Sequence, residues 1–140
     1  KKPSTDKNYG LHYPIVKDFK KKGFNVVVIP YCTSDLHQGS HTNLVDGKKV
    51  YFHGRKIVVD IFKQLDSKFK SAGKLVFAGY SAGSIGLGFN SDLIKKYKNH
   101  YINYHLKKYH ENKTVFTNSF LVFISYYPHK NGCTISIWNK

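Results

Sequence analysis

The sequence predicts an α/β fold built on a small parallel sheet, and three stretches carry that prediction. Phe24 to Ile29, FNVVVI, is a β-branched run without alternation, the pattern of a strand buried on both faces of a parallel sheet. Gly54 to Phe69 places apolar residues at Ile57, Val58, Ile61, Phe62, Leu65 and Phe69, with Lys56, Lys63, Gln64 and Lys68 opposite, which is the spacing of an amphipathic helix. Leu75 to Ala78, LVFA, is a second apolar run of strand length. Strand, helix and strand make one βαβ unit, so the exits of both strands share one sheet edge, where α/β proteins bind ligands.

In chain order, residues 1 to 10 form a polar lead-in, and Ile15, Val16 and Phe19 predict a short helix ended by the lysine run and Gly23. Pro30 stops the first strand. Residues 31 to 50 are rich in Ser, Thr, Asp, Gly, His and Asn and read as a long loop, a length usually kept for function or mobility. The long helix stops near Gly73. Beyond Ala82, apolar residues fall at Ile85, Phe89, Leu93 and Tyr97, a spacing of about four that one helix face would carry. Thr114 to Tyr127 and Thr134 to Trp138 read as strands, with Val122, Phe123 and Ile124 buried.

The chemistry concentrates at Gly79-Tyr80-Ser81-Ala82-Gly83, between the second strand and the following helix. That context is what a nucleophile elbow requires of G-x-S-x-G, a pattern that alone is weak. A strand turning into a helix within two residues crowds its own backbone, and Gly79 and Gly83 relieve the crowding. Ser81 is then a candidate nucleophile, and the Ala82 amide, at the positive helix end, a candidate oxyanion donor. A phosphate-cradling loop is disfavoured, because neither G-x-x-x-x-G-K-[ST] nor G-x-G-x-x-G is present. Tyr31, Asp35, His37 and Tyr80 are candidates for the rim of the site, the two tyrosines beside an ordinary structural role.

At 140 residues the chain is one domain at most, and 41% hydrophobic with 16% aromatic residues is enough to bury a core. No run is long enough to span a bilayer, and KKPSTDKNYG lacks the apolar region of a signal peptide. Methionine is absent, and the chain is read as a segment of something longer or a processed product. The net charge of +15 favours contact with polyanions through lysine. Arg55 is the single arginine, which argues against base readout, and an AT-rich coding bias accounts for much of the lysine. Cys32 and Cys133 permit one disulfide at most. His37, His41 and His53 lie near Asp35 in sequence, but no helical ligand spacing fixes them, so no metal is assigned. Asp35 is expected to organise its loop by accepting backbone N–H bonds.

YCTSDLHQGSHTN at 31 to 43, HGR at 53 to 55, GYSAG at 79 to 83 and Asn90-Ser91-Asp92 together resemble the pectin acetylesterase, or Notum-like, family of serine carboxylesterases, over residues 24 to about 96. The resemblance implies a secreted enzyme, without metal or organic cofactor, that removes acetyl or other acyl groups from a polysaccharide or an acylated protein. Ser81 matches the family nucleophile and Ala82 an oxyanion donor. Asp35 and His37 match a family signature without a triad role. The family's glycine-rich GGGW segment has no counterpart in these residues. Its catalytic Asp and His follow the serine in that order, and Glu111 and His129 are the residues that keep the order here. Either they complete a shortened triad, or residues 97 to 140 are not the family's C-terminal half; a truncated or frame-shifted tail is the preferred reading.

The expectation is therefore a single, incomplete hydrolase domain over 1–140. It has a partial α/β-hydrolase-like parallel sheet, a nucleophile elbow at 79–83, and a divergent basic tail, rich in Tyr, Asn and His, over 97–140. The alternative is a non-catalytic basic module that holds an acidic glycan or nucleic acid, which would gather its lysines along one groove.

Overall fold

A computed structural model describes residues 13–97, 119–124 and 136–138. In chain order these form α1 (Pro14–Lys21), β1 (Asn25–Ile29), β2 (His41–Val45), β3 (Lys48–Phe52), α2 (Gly54–Lys70), β4 (Lys74–Gly79), α3 (Ala82–Phe89), α4 (Ser91–Ile94), β5 (Ser119–Ile124) and β6 (Ser136–Trp138). Pro14 opens α1 where its missing N–H costs nothing, and Lys20 and Lys21 sit at the negative end of the helix. The amide of Phe24 closes that helix on the Phe19 carbonyl at 3.0 Å and delivers the chain into β1.

Four strands form one sheet in the order β4-β5-β1-β6. β5 runs parallel to both neighbours, so Val122 is level with Val27 on one side and Phe77 on the other, while β6 is antiparallel to β1. β1 and β4 are thus parallel but not adjacent, because β5 enters between the two strands of the βαβ unit. Among the described residues β4 is an edge strand.

The unalternating strands are explained by burial on two sides. Val27, Ile29, Leu75, Phe77 and Val122 pack against α2, α3 and α4 through Val58, Phe62, Leu65, Phe69, Leu87 and Ile94. Val26, Val28, Val76, Ala78 and Leu121 face Tyr13, Val16, Phe19 and Phe24 around α1. Each large apolar side chain buried this way contributes about 1.5–3 kcal/mol against leaving it in water.

Two expectations are corrected. Residues 31 to 50 are not one long loop: β2 and β3 pair as an antiparallel hairpin, turning at Asp46 and Gly47 with φ of 49° and 73°. Asp-Gly at a two-residue turn signals such a hairpin. The sequence carries no alternating pattern here because β2 is exposed along its whole length and no face selects for apolar residues. Likewise, Ile85, Phe89, Leu93 and Tyr97 do not share one helix face. The helix breaks at Asn90, and Ile85 and Phe89 are 48% and 55% exposed. The buried face of α3 is made instead by Leu87 and by Ala82, Gly83 and Gly86, whose small size allows close approach.

Candidate active site

β4 ends at Gly79 and α3 begins at Ala82, leaving Tyr80 and Ser81 as the whole connection. Ser81 has φ 52° and ψ −119°, a backbone conformation that costs a residue with a Cβ about 1–3 kcal/mol. The surroundings impose it. A Cβ on Gly79 would run into the backbone of Gly83 and Ser84, so strand and helix approach as closely as glycine permits. Ser84 Oγ donates to the Gly79 carbonyl at 2.7 Å, and the amides of Ser84 and Ile85 donate to the Ser81 carbonyl at 2.9 and 3.3 Å. Ser81 and Tyr80 are exposed at the apex. Ala82 occupies the first helical position, whose N–H has no acceptor within the helix and lies at its positive end.

The segment leaving β1 lies on the same sheet edge, since β1 and β4 both run parallel to β5. Ser34, Leu36 and His37 all adopt positive φ there, at 49°, 56° and 59°. The Asp35 carboxylate holds them: Oδ1 accepts from the His37 amide at 3.1 Å, and Oδ2 accepts from the amides of Gly39 at 3.1 Å and Gly54 at 2.8 Å. Gly54 is the first residue of α2, and the next amide, Arg55, donates to the Gly39 carbonyl at 3.0 Å. Asp35 is therefore also the charged cap of a helix that starts 19 residues later, where a carboxylate is favoured by the exposed amides. The Tyr31 hydroxyl accepts from the Leu36 amide at 3.1 Å, and its ring lies 5.1 Å from that of His37.

His37 is 2% exposed, and its imidazole packs on Gly86 of α3. A Cβ on Gly86 would meet that ring, whereas one on Gly88 would meet nothing. Arg55 spans the far end of α3. Its Nη1 donates to Asn90 Oδ1 at 2.7 Å and to Asp92 Oδ1 at 3.0 Å, and its Nη2 donates to Asp92 Oδ2 at 2.5 Å. The Arg55 guanidinium holds the Asp92 carboxyl below its ordinary value of 3.8, against a smaller opposing effect of burial.

Loop 31–37, the amino end of α2 and the carboxyl end of α3 thus form one hydrogen-bonded assembly, connected to the Ser81 turn through α3. Arg55 and Asn90 belong to it although the sequence assigned them no role; their place in the HGR segment at 53–55 and in Asn90-Ser91-Asp92 was the available signal. Glu111 and His129 lie outside the described residues. No group of three His, Cys, Asp or Glu side chains is placed to hold a metal ion among the described residues. His41 stacks on Phe52, and His53 Nε2 is 3.2 Å from Thr42 Oγ1. Cys32 is disulfide-bonded. The described lysines occur on α1 on one side of the sheet, on α2 and beyond α4 on the other, and on the hairpin. No described helix is long and apolar enough to cross a membrane.

A separate cavity of about 250 Å³ is lined by residues of α2, of α4 and of the segment just after it, among them Phe62, Lys63, Asp66, Leu93 and Tyr97, and by none of the residues around Ser81. Burial there, aided by the hydrogen bond to Asp66, pushes the Tyr97 phenol up to about 12.

The pectinacetylesterase family profile matches residues 18–122, so the match runs past the motifs and into β5. The chain is 42% identical over 76 residues to palmitoleoyl-protein carboxylesterase NOTUM of Schmidtea mediterranea, which is 52% of this chain and 14% of that protein. It is 34% identical over 95 residues to notum2 of Xenopus laevis, covering 66% of this chain and 19% of that protein. The mouse carboxylesterase NOTUM is 37% identical over 71 residues, 50% and 14% of the two chains. The matches therefore span less than a fifth of these relatives. No solved structure matches. With the profile covering three quarters of the sequence and the turn, the loop and the Asn-x-Asp segment all inside it, the chain belongs to the pectinacetylesterase family.

Proposed function

We propose that this chain carries the nucleophile-bearing part of a serine carboxylesterase, with Gly79–Gly83 as its nucleophile elbow. The observation that carries the reading is the backbone of Ser81, at φ 52° and ψ −119° between the end of β4 and the start of α3. Strain of that kind persists where surrounding structure over-determines it and clusters at sites of chemistry. Ser81 Oγ attacks an ester carbonyl carbon as a histidine takes its proton. The Ala82 amide and a second donor hold the oxyanion; collapse of the tetrahedral intermediate expels the alcohol, which takes up that proton, and water then releases the acid from the acyl-serine. His129 is the proposed base and Glu111 its partner, on chain order. The relatives are named as palmitoleoyl-protein carboxylesterases, which supports an acyl ester on a protein as substrate, and the family description supports an acetylated polysaccharide.

The test is a fluorophosphonate probe with mass-spectrometric mapping, beside p-nitrophenyl acetate hydrolysis. An adduct on Ser81, lost in Ser81→Ala, is expected, with turnover slow or absent; turnover that falls in His129→Ala and Glu111→Ala supports the shortened triad, and turnover indifferent to both supports the truncated tail. An adduct confined to other serines, or none, overturns the proposal. Polyanion association through lysine is proposed only as weak and sequence-independent, since the described lysines lie on both sides of the sheet and on the hairpin. For three phosphate contacts it falls about 40-fold between about 50 and 200 mM salt.

A further inference from the structure

Asn90 is 1% exposed, and its carboxamide is engaged on both sides. Nδ2 donates to the His37 carbonyl at 3.0 Å and to the Gly86 carbonyl at 2.7 Å, while Oδ1 accepts from Arg55 Nη1 at 2.7 Å. A guanidinium only donates, so the opposite orientation of the amide would set Nδ2 against donors and Oδ1 against two carbonyl oxygens. Arg55 therefore selects the orientation, and Asp92 holds Arg55 through both of its oxygens.

On the reading of Ser81 as the nucleophile, we infer that Asn90 is a positioning residue, oriented by Arg55, that fixes where the Tyr31–His37 loop stands relative to Ser81. The loop meets α3 twice, through the His37 ring on Gly86 and through the His37 carbonyl on Asn90. α3 has only eight residues, about 12 Å of hydrogen-bonded rod with Ser81 at its start, so a displacement at Gly86 or Asn90 is carried to the Ser81 turn. The arginine fork is what a lysine cannot replace, because one ammonium does not reach Asn90 and both Asp92 oxygens in a plane.

The test uses the full ¹⁵N-labelled chain with Asn90→Asp, which keeps the shape and the Arg55 contact but removes both Nδ2 donors, and with Arg55→Lys. Each variant is expected to move the amide resonances of Leu36 to Gln38 together with those of Ala82 and Gly83, leaving Val16 and Phe19 of α1 in place. Ala82 and Gly83 resonances that stay put while those of the loop move overturn the inference. Should Asn90→Asp lose the fold, judged by the α1 amides, the milder Arg55→Lys decides. A second readout is the fluorophosphonate reaction at Ser81, in which the maximal inactivation rate falls about tenfold or more while the probe's Ki holds, as expected of a misplaced nucleophile. A change in Ki alone counts against positioning. If wild-type Ser81 takes no label, the nucleophile reading falls, and the amide resonances still decide whether Asn90 couples the loop to the turn.

Discussion

The imidazole of His37 occupies the place where Gly86 would carry a side chain: a Cβ built on Gly86 comes 2.9 Å from His37 Cδ2 and 3.1 Å from its Cβ. Loop and helix are fitted to each other here, and the fit makes buried Gly86 and exposed Gly88 of α3 unequal. Gly86→Ala is expected to destabilise the chain by about 1–3 kcal/mol, because a buried ring held by its own loop has no room to retreat. Gly88→Ala meets nothing within 4 Å and is expected to stabilise by about 0.5–1 kcal/mol through helix propensity and reduced unfolded-state entropy. Urea unfolding of the two variants checks the opposite signs.

Ser81 is the position where stability and chemistry are set against each other. Its φ of 52° with ψ of −119° suits glycine alone without strain. Ser81→Gly is therefore expected to be more stable than Ser81→Ala by about 1 kcal/mol, although both lose the hydroxyl. Equal midpoints in thermal unfolding would show that the turn is relaxed.

Asp35 satisfies three amides from two separate segments, so its loss is felt by the loop and by α2 together. Asp35→Asn keeps the volume but turns an NH₂ toward backbone donors. It is expected to cost about 2–3 kcal/mol, the scale of charge-assisted bonds replaced by an unsatisfied donor. Limited proteolysis within 31–39 at an early stage of digestion checks that the loop, and not the core, is what opens.

The Asp92 carboxyl is held below its ordinary value by Arg55, which fixes the sign of its pH dependence. A carboxylate with a depressed folded-state pKa contributes stability that is fully present above 3.8 and is lost as pH falls through its folded-state value. The Asp92 side chain is 62% exposed, so solvent and salt keep the contribution small, below about 1 kcal/mol. The stability difference between wild type and Asp92→Asn is expected to shrink toward zero on acidification and with added salt, as followed by urea midpoints. A difference that grows on acidification would contradict the assignment.

The sequence by itself determined β1, α2 and β4 and the position of Ser81 between a strand and a helix. Those features rest on local patterns: an unbroken apolar run is what a doubly covered strand requires, and a 3.6-residue stripe is what a helix with one covered face requires. Asp35 as an acceptor for its own loop was legible for the same reason, being a contact within a few residues. The tertiary structure alone decided that β5 lies between β1 and β4, since strand order is set by which faces bury most and not by chain order. It also decided that Asp35 caps α2, that His37 rests on Gly86, and that Asn90 and Arg55 join α3 to the loop, contacts spanning 19 to 53 residues of sequence. The apolar spacing through Ile85 and Phe89 pointed the wrong way, because α3 buries Ala82, Gly83 and Gly86 with Leu87 as its one large apolar side chain. Close approach of backbone, which leaves no hydrophobic period in the sequence, is what seats the Ser81 turn.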